Sequence, residues 1–512
     1  MLNKYIRTKS NNFKIHIKRI IYEREYNKNI RHLKIDVKEL FLSQRRNEQF
    51  NRYDIVVRYL AIENYYNKNN FGFALYKKMQ ELRNPLENSE DYVRKFKELI
   101  ASFENRGYDI TSEIETDKEM LIEEGAHRVS CALYFGIDIL SVKVLPTQSG
   151  ADYSIDWFFL NGFTDSECNI ILEKERWLRE KNNSDIAIIL WPTVYQYYDE
   201  IMNQLKRIWE IIEFKDVILK GETFERAVNG IYFVDDINGE RIKEKILHVR
   251  NANDMPLRII RARIESPRFR LKKDNGHTLL IQGEKIKKII SNIYKNKIDN
   301  YYFDNIIHTA DNFYQSEHIL SLFFCHINLD KYFSLIKEYK WILIKLETDY
   351  VPDNFPKDFA FSKDIDIVCP KGEYRTIIEK TKNFFCKLSK NNYEICVLDE
   401  GCKWRLRVEK NQFLIFQVDI SYEIEGLQNE FLKLAIENRV LDKNYYVTKK
   451  EYEICFRVNE YMRHSSKKWH LHYIENNIET LEYEILASAL GCSQDKCNNL
   501  VKELIKKYER NI

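Results

Sequence analysis

Two carboxylates one residue apart interrupt an apolar run in 359-FAFSKDIDIVCP-370, and a third stands alone in 412-QFLIFQVDISY-422. Side chains alternate along a strand, so Asp364 and Asp366 point to one face while Ile365 and Ile367 point to the other. Unpaired carboxylates held so close repel each other and keep their protons longer, and a divalent cation reverses that cost. Mg²⁺ needs few protein oxygens and completes its shell with water and substrate phosphates. Asp419 is the expected third ligand; an exposed acidic strand is the plainer alternative. Lys345, Lys363, Arg405 and Arg407 are cations suited to a triphosphate, and the two arginines share one face of 403-KWRLRVEK-410.

A second constellation lies in 121-LIEEGAHRVSCALYFGIDILSVKV-144. An apolar strand runs into Glu124 and Gly125, and His127 and Arg128 then open an amphipathic helix. Glycine permits the tight turn, the helix N-terminus offers free N–H groups, and Arg128 adds a cation, which together suit a phosphate. Arg52, Arg58 and Glu63 of 52-RYDIVVRYLAIE-63 lie on helical turns that could face the same cleft, but a surface salt-bridge set is the preferred reading. In 306-IIHTADNFYQSEHI-319, His308, Asp311, Asn312 and His318 sit where a strand gives way to a helix, with Asp311 equally suited to capping it. In 463-RHSSKKWHLHYI-474, Arg463, Lys467, Lys468, His470 and His472 are expected on one basic helix.

The chain that must position these groups has 512 residues, 44% hydrophobic and 31% charged, with a formal net charge of +3. That length implies several domains, and near-neutral charge points to no specific nucleic-acid partner. Ten cysteines without a CxxC pair argue for reduced, mostly buried thiols in a cytoplasmic protein. No apolar run is long enough to span a bilayer. Residues 1–32 read as a basic, solvated lead-in helix, whose charge also suits peripheral contact with an anionic membrane surface. Residues 33–147 alternate strand and helix as one α/β unit, with Ser89 expected to cap the helix that Gly107 ends. Residues 155–325 form a mixed α+β region without a recognisable role, 330–425 carry the acidic strands, and 426–512 read as helices.

An Asp-x-Asp strand, a helix, a hairpin and a further apolar strand with one Asp resemble the nucleotidyltransferase superfamily with the DNA polymerase β-like palm. The resemblance implies that Asp364, Asp366 and Asp419 hold Mg²⁺ and act on ATP or another NTP, with Asp419 nearest the acceptor. The Gly-Ser pair that usually opens the preceding helix is replaced by 341-WILIKLETDYVPDNFPKDFAFSK-363. The Gly-x-His-Arg turn resembles the ParB/sulfiredoxin-like fold, some members of which are small-molecule kinases. By that resemblance Gly125, His127 and Arg128 meet phosphate, and Glu124 helps hold metal or accepts a proton. No helix-turn-helix is evident.

The overall expectation is a multidomain α/β and α+β protein: a ParB/sulfiredoxin-like domain, a middle domain, and a nucleotidyltransferase-like domain with a helical tail. Its expected activity is nucleotidyl transfer to a small, phosphorylated acceptor, coupled to a kinase-like or nucleotide-binding domain. Such a pairing suits the making of activated precursors for bacterial surface polysaccharides. Two alternatives stand beside it. One is a toxin-type or nucleic-acid-directed nucleotidyltransferase or ribonuclease using Arg463 and His470. The other is a glycosyltransferase using the Asp-x-Asp pair, which has no need of Asp419.

Overall fold

The computed structural model describes residues 30–509 apart from 47, 220, 236–237, 250–255, 273–275, 300, 303–304, 326, 347–354, 358–360, 362 and 466–467. The expected lead-in helix therefore lies outside the described residues, as do Lys467 and most of the segment between Lys345 and the acidic strand. The protein is mixed α/β and divides into two compact units. The first is Met1–Phe214, Val234–Val249 and Arg258–Glu317; the second is Lys215–Phe233, Arg250–Leu257 and His318–Ile512.

In the first unit, β1 (Arg31–Asp36) alternates in burial as its sequence does and passes into α1 (Val37–Leu42). The Asp36 side chain caps α1 by accepting from the Lys38 and Glu39 N–H groups. There follow α2 (Tyr53–Tyr65), α3 (Gly72–Arg83), α4 (Ser89–Arg106), β2 (Ile114–Thr116), β3 (Ile122–Glu124), α5 (Ala126–Phe135) and β4 (Ile139–Val144). The strands order as β1-β4-β2-β3, parallel only between β4 and β2. Asn88, not Ser89, is the N-cap of α4, because its side chain accepts from the Glu90 N–H; Gly107 ends the helix at φ 73°.

Beyond α6 (Asp165–Asn182), closed at its start by a Thr164/Glu167 capping box, a second sheet forms. It joins β5 (Ile186–Leu190), β6 (Glu210–Val217), β7 (Leu257–Arg263) and β8 (Ile307–Thr309) in the order β8-β5-β7-β6. All five residues of β5 are buried, which is why the run 186-IAIIL-190 carries no alternation. α7 (Ile281–Tyr294) leans its apolar stripe on this core.

The second unit is built on seven strands. In chain order these are β9 (Ile342–Ile344), β10 (Lys363–Val368), β11 (Glu394–Asp399), β12 (Lys403–Lys410), β13 (Phe413–Ser421), β14 (Val440–Asp442) and β15 (Tyr445–Val447). In space they run β11-β12-β13-β10-β9-β15-β14. Helices α8 (Leu329–Ile336), α9 (Lys371–Phe385), α10 (Asn429–Glu437), α11 (Lys450–Arg463), α12 (Lys468–Asn476), α13 (Tyr483–Leu490) and α14 (Gln494–Glu509) complete it. β10 occupies the centre, parallel to β13 and antiparallel to β9. Ile365, Ile367, Phe416 and Val418 are buried on one face, where Phe385 of α9 stacks its ring on Phe416 at 5.9 Å. That apolar face anchors the strand pair and leaves the acidic face for other partners.

Candidate active site

The register of β10 with β13 aligns Asp366 with Asp419 and Asp364 with Gln417. In a parallel pair, aligned residues project to the same side, so the three aspartates share the face opposite Ile365 and Val418. Asp419 is 4% exposed and fully engaged. Arg405, its neighbour across β12, grips it with two bonds, Nε to Oδ1 at 2.9 Å and Nη2 to Oδ2 at 3.0 Å. Lys403 Nζ reaches Oδ2 at 2.5 Å, and Gln417 Nε2 donates to Oδ1 at 3.0 Å. Burial would raise the pKa of Asp419, but Arg405 and Lys403 outweigh it and hold the carboxyl below its ordinary value.

Asp366 is met by Lys345 Nζ at 3.0 Å, and the same ammonium lies 3.3 Å from Glu460 Oε2 on α11. Lys345 sits just past β9 with φ 56°, in the left-handed region that lysine seldom adopts. Its backbone N–H is held there by Glu453 Oε2 at 3.1 Å. Burial would lower the lysine, yet Asp366 and Glu460 raise it above its usual value. Among the described residues, no ion pair meets Asp364. Burial raises its carboxyl, and the negative charges of Asp366 and Asp419 raise it further. The Asp364 residue is itself exposed.

Sequence spacing placed the three acids on strands and named Lys345 and Arg405 as nearby cations, but left out Lys403, Glu453 and Glu460. Lys403 had a signal, since it alternates with Arg405 and Arg407 along β12. Glu453 and Glu460 had none, because α11 follows the acidic strand by more than eighty residues of chain. Arg407 turns to Glu409 Oε1 at 3.0 Å and does not join Asp419. Lys363 is half-buried at the start of β10. A cleft of about 430 Å³ opens past the C-terminal end of β10, lined by Cys369, Pro370, Lys371, Tyr422 and Lys433 among others; none of the three aspartates lines it.

Among the described residues, no three His, Cys, Asp or Glu side chains stand close enough to hold a metal ion as they are. The donor set itself is all oxygen and suits Mg²⁺. The raised Asp364 marks a surplus of negative charge that a cation would relieve. Where such an ion would bind, lysine and arginine now stand.

The Gly-x-His-Arg turn is formed as expected, with Gly125 at φ 104° capping the start of α5. An added Cβ there would meet the tip of Ile114 at 2.6 Å, and the left-handed backbone itself favours glycine. Arg128 does not extend freely: its Nη1 donates to Ser112 Oγ at 2.6 Å and to the Glu113 carbonyl at 2.8 Å. Glu124 is exposed and lies across from Glu115. His127 Nε2 meets Tyr76 Oη at 2.8 Å. Burial, followed by Arg58 and Arg83, lowers the imidazole well below its ordinary value, so it stands neutral.

Three readings of polar residues are corrected. Arg52 and Arg58 are no surface pair: each is 2% exposed, clustered on the fully buried Asp54. Asn312, not Asp311, caps the helix that follows it, accepting from the Gln315 N–H, while Asp311 pairs with Lys272 at 2.5 Å. Arg463 and His470 lie on separate helices. Arg463 pairs with Glu425, and His470 is buried with Nδ1 3.3 Å from Arg457. All ten cysteines are free, and Cys492 and Cys497 sit with their sulfurs 3.1 Å apart. Among the described residues, no helix is long and apolar enough to cross a membrane. In comparison with known proteins, the chain matches no family model and no curated protein.

Proposed function

We propose that the acidic face of the second unit's sheet is a Mg²⁺-dependent nucleotidyltransferase site acting on a small, phosphorylated or hydroxylated acceptor. We further propose that the Gly125 turn of the first unit binds nucleotide or phosphorylated substrate, as in a kinase-like partner. The observation that carries the first reading is the alignment of Asp366 with Asp419 on neighbouring central strands, with Asp364 on the same face. Asp364, Asp366 and Asp419 would hold Mg²⁺. The ion would neutralise a triphosphate and activate the attacking oxygen. Lys345 pairs with Asp366, and Lys403 and Arg405 pair with Asp419; on metal binding these cations would be freed to meet triphosphate oxygens. Held beside the site, such cations would stabilise the charge that develops on the phosphates. Arg405 is the best suited, since its fork matches two oxygens at once.

Pyrophosphate release from each radiolabelled NTP, with Mg²⁺ and candidate acceptors, tests the reading. Combining Asp364→Asn with Asp366→Asn keeps the shape and removes two charges. The rate should fall by about 10²–10³-fold or more, the scale seen on removing a charge-stabilising group. A doubly substituted protein that keeps the parent rate refutes the assignment.

A further inference from the structure

Cys492 and Cys497 stand at the two ends of a short turn in the helical tail of the second unit. Cys492 follows α13, where Gly491 turns the chain at φ 63° and the Cys492 N–H closes the helix on the Ala487 carbonyl at 3.1 Å. Cys497 lies in the first turn of α14, with its N–H on the Ser493 carbonyl at 3.1 Å. Both ends of the turn are pinned by these backbone bonds, and the two sulfurs meet at 3.1 Å. A disulfide bond is about 2.05 Å long, so closure asks for roughly 1 Å of approach.

The two thiols differ in access. Cys497 is fully buried in the core shared by α10, α11, α13 and α14, whereas Cys492 is half-buried at its edge. Ser493, Gln494, Asp495 and Lys496 between them are all exposed, so the turn lies at the surface. A reagent from solvent meets Cys492 first and reaches Cys497 only through it. Burial, and then the Cys492 sulfur, raises the Cys497 thiol to about 12, which further separates their reactivity. Cys455, a third thiol in the same core, is engaged elsewhere, its Sγ donating to the Glu451 carbonyl at 3.3 Å. The same corner holds the start of α10. The Gln428 N–H bonds the Ala489 carbonyl at 2.9 Å, and a Cβ on Gly491 would meet Gln428 Nε2 at 2.7 Å.

We propose that Cys492 and Cys497 form a thiol–disulfide modification site, with Cys492 as the entry thiol and Cys497 as the resolving one. The co-reactant is a small disulfide of the glutathione class. The Cys492 thiolate attacks one sulfur of that disulfide, forming a mixed disulfide and releasing one reagent thiolate. Cys497 then loses its proton and attacks Cys492 Sγ, which closes the Cys492–Cys497 bond and releases the second reagent thiolate. Two protein thiols are oxidised, one small disulfide is reduced, and the two protein protons end on the released thiols.

The test places the full chain in buffers of graded oxidised-to-reduced glutathione, then quenches with acid, alkylates in denaturant and digests with trypsin. Cleavage after Lys468, Lys496 and Lys502 puts Cys492 in 469–496 and Cys497 in 497–502, so only a disulfide joins these peptides. Mass spectrometry should find the joined pair. The folded chain should form it at a glutathione ratio at least about tenfold less oxidising than the chain in urea, where sequence neighbourhood alone brings the thiols together. Cys497→Ser should stop at glutathione on Cys492. Cys492→Ser should leave Cys497 unmodified while the exposed Cys386 and Cys396 still take glutathione. The proposal is overturned if the folded parent shows no joined pair while Cys386 and Cys396 are modified, or if closure is no easier folded than in urea. Ready modification of Cys497 in the Cys492→Ser protein would overturn the order of entry.

Discussion

Glu39 is 2% exposed, and its Oε1 accepts the Phe313 N–H at 2.7 Å. Burial, with Asp36 nearby, raises the carboxyl from 4.5 to about 8 despite the Thr278 and Phe313 hydrogen bonds. Below pH 4.5 the folded and unfolded chains are both protonated at this group, and its contribution to stability is fully present. As pH rises from 4.5, only the unfolded chain ionises, so stability falls until the folded group also ionises near pH 8. The stability difference between the parent and Glu39→Gln, followed by denaturant titration from pH 4 to 9, should therefore shift in favour of the variant across that window. The slope should approach about 1.4 kcal/mol per pH unit at its steepest; a flat difference would show that Glu39 titrates normally. Legibility in the sequence also divides at this scale. Asp364, Asp366 and Asp419 were readable because alternation alone fixes the face of a strand. The pairing of Lys345 with Asp366 and Glu460, and the knot at Asp54, were not, because each joins residues that only the tertiary fold brings together.

Helices α2 and α3 are the elements that position the Asp54 cluster, and their spacing depends on Gly72. A Cβ placed there would stand 2.0 Å from the Leu60 carbonyl oxygen and 2.8 Å from the Ala61 nitrogen. The obstacle is backbone, which cannot swing aside as a side chain can. Gly72→Ala should consequently cost about 3 kcal/mol, the upper end of overpacking, even though alanine favours helix. Thermal unfolding would register it as a lowered midpoint; a stabilised variant would mean that the helices are not so tightly opposed. Apolar periodicity revealed both helices. It could not reveal that glycine is their contact, since a helix start and a crossing point call for the same residue. The sheets show the same boundary. In the second unit, β14 and β15 fall within 426–512, which reads as helical in the sequence, while β10, β11, β12 and β13 were legible there. The order β13-β10-β9-β15 was not, because β9 pairs with a strand that lies a hundred residues further along the chain.

Across the whole molecule, the two groups of charged side chains differ in sign. In the second unit, Lys345 pairs with Asp366, and Lys403 and Arg405 pair with Asp419, while Asp364 is exposed. In the first unit, Gly125 opens the helix on which His127 and Arg128 stand. The two sites proposed for nucleotidyl transfer and phosphate binding are drawn from these residues. Neither borrows a residue from the other unit, and all the named residues of each lie within one unit. Coupling between sites is reciprocal in binding free energy, so independence can be tested from either side. In the protein carrying Asp364→Asn with Asp366→Asn, the part of phosphate binding that depends on Arg128 at the Gly125 turn should keep its parental affinity within about twofold, a difference under 0.5 kcal/mol. That part is read as the gap between titrations with and without an added Arg128→Ala change. A shift of tenfold or more would mean that removing charge from the acidic face is felt at the Gly125 turn. The two proposed chemistries would then be coupled, with nucleotidyl transfer sensing whether the turn is filled.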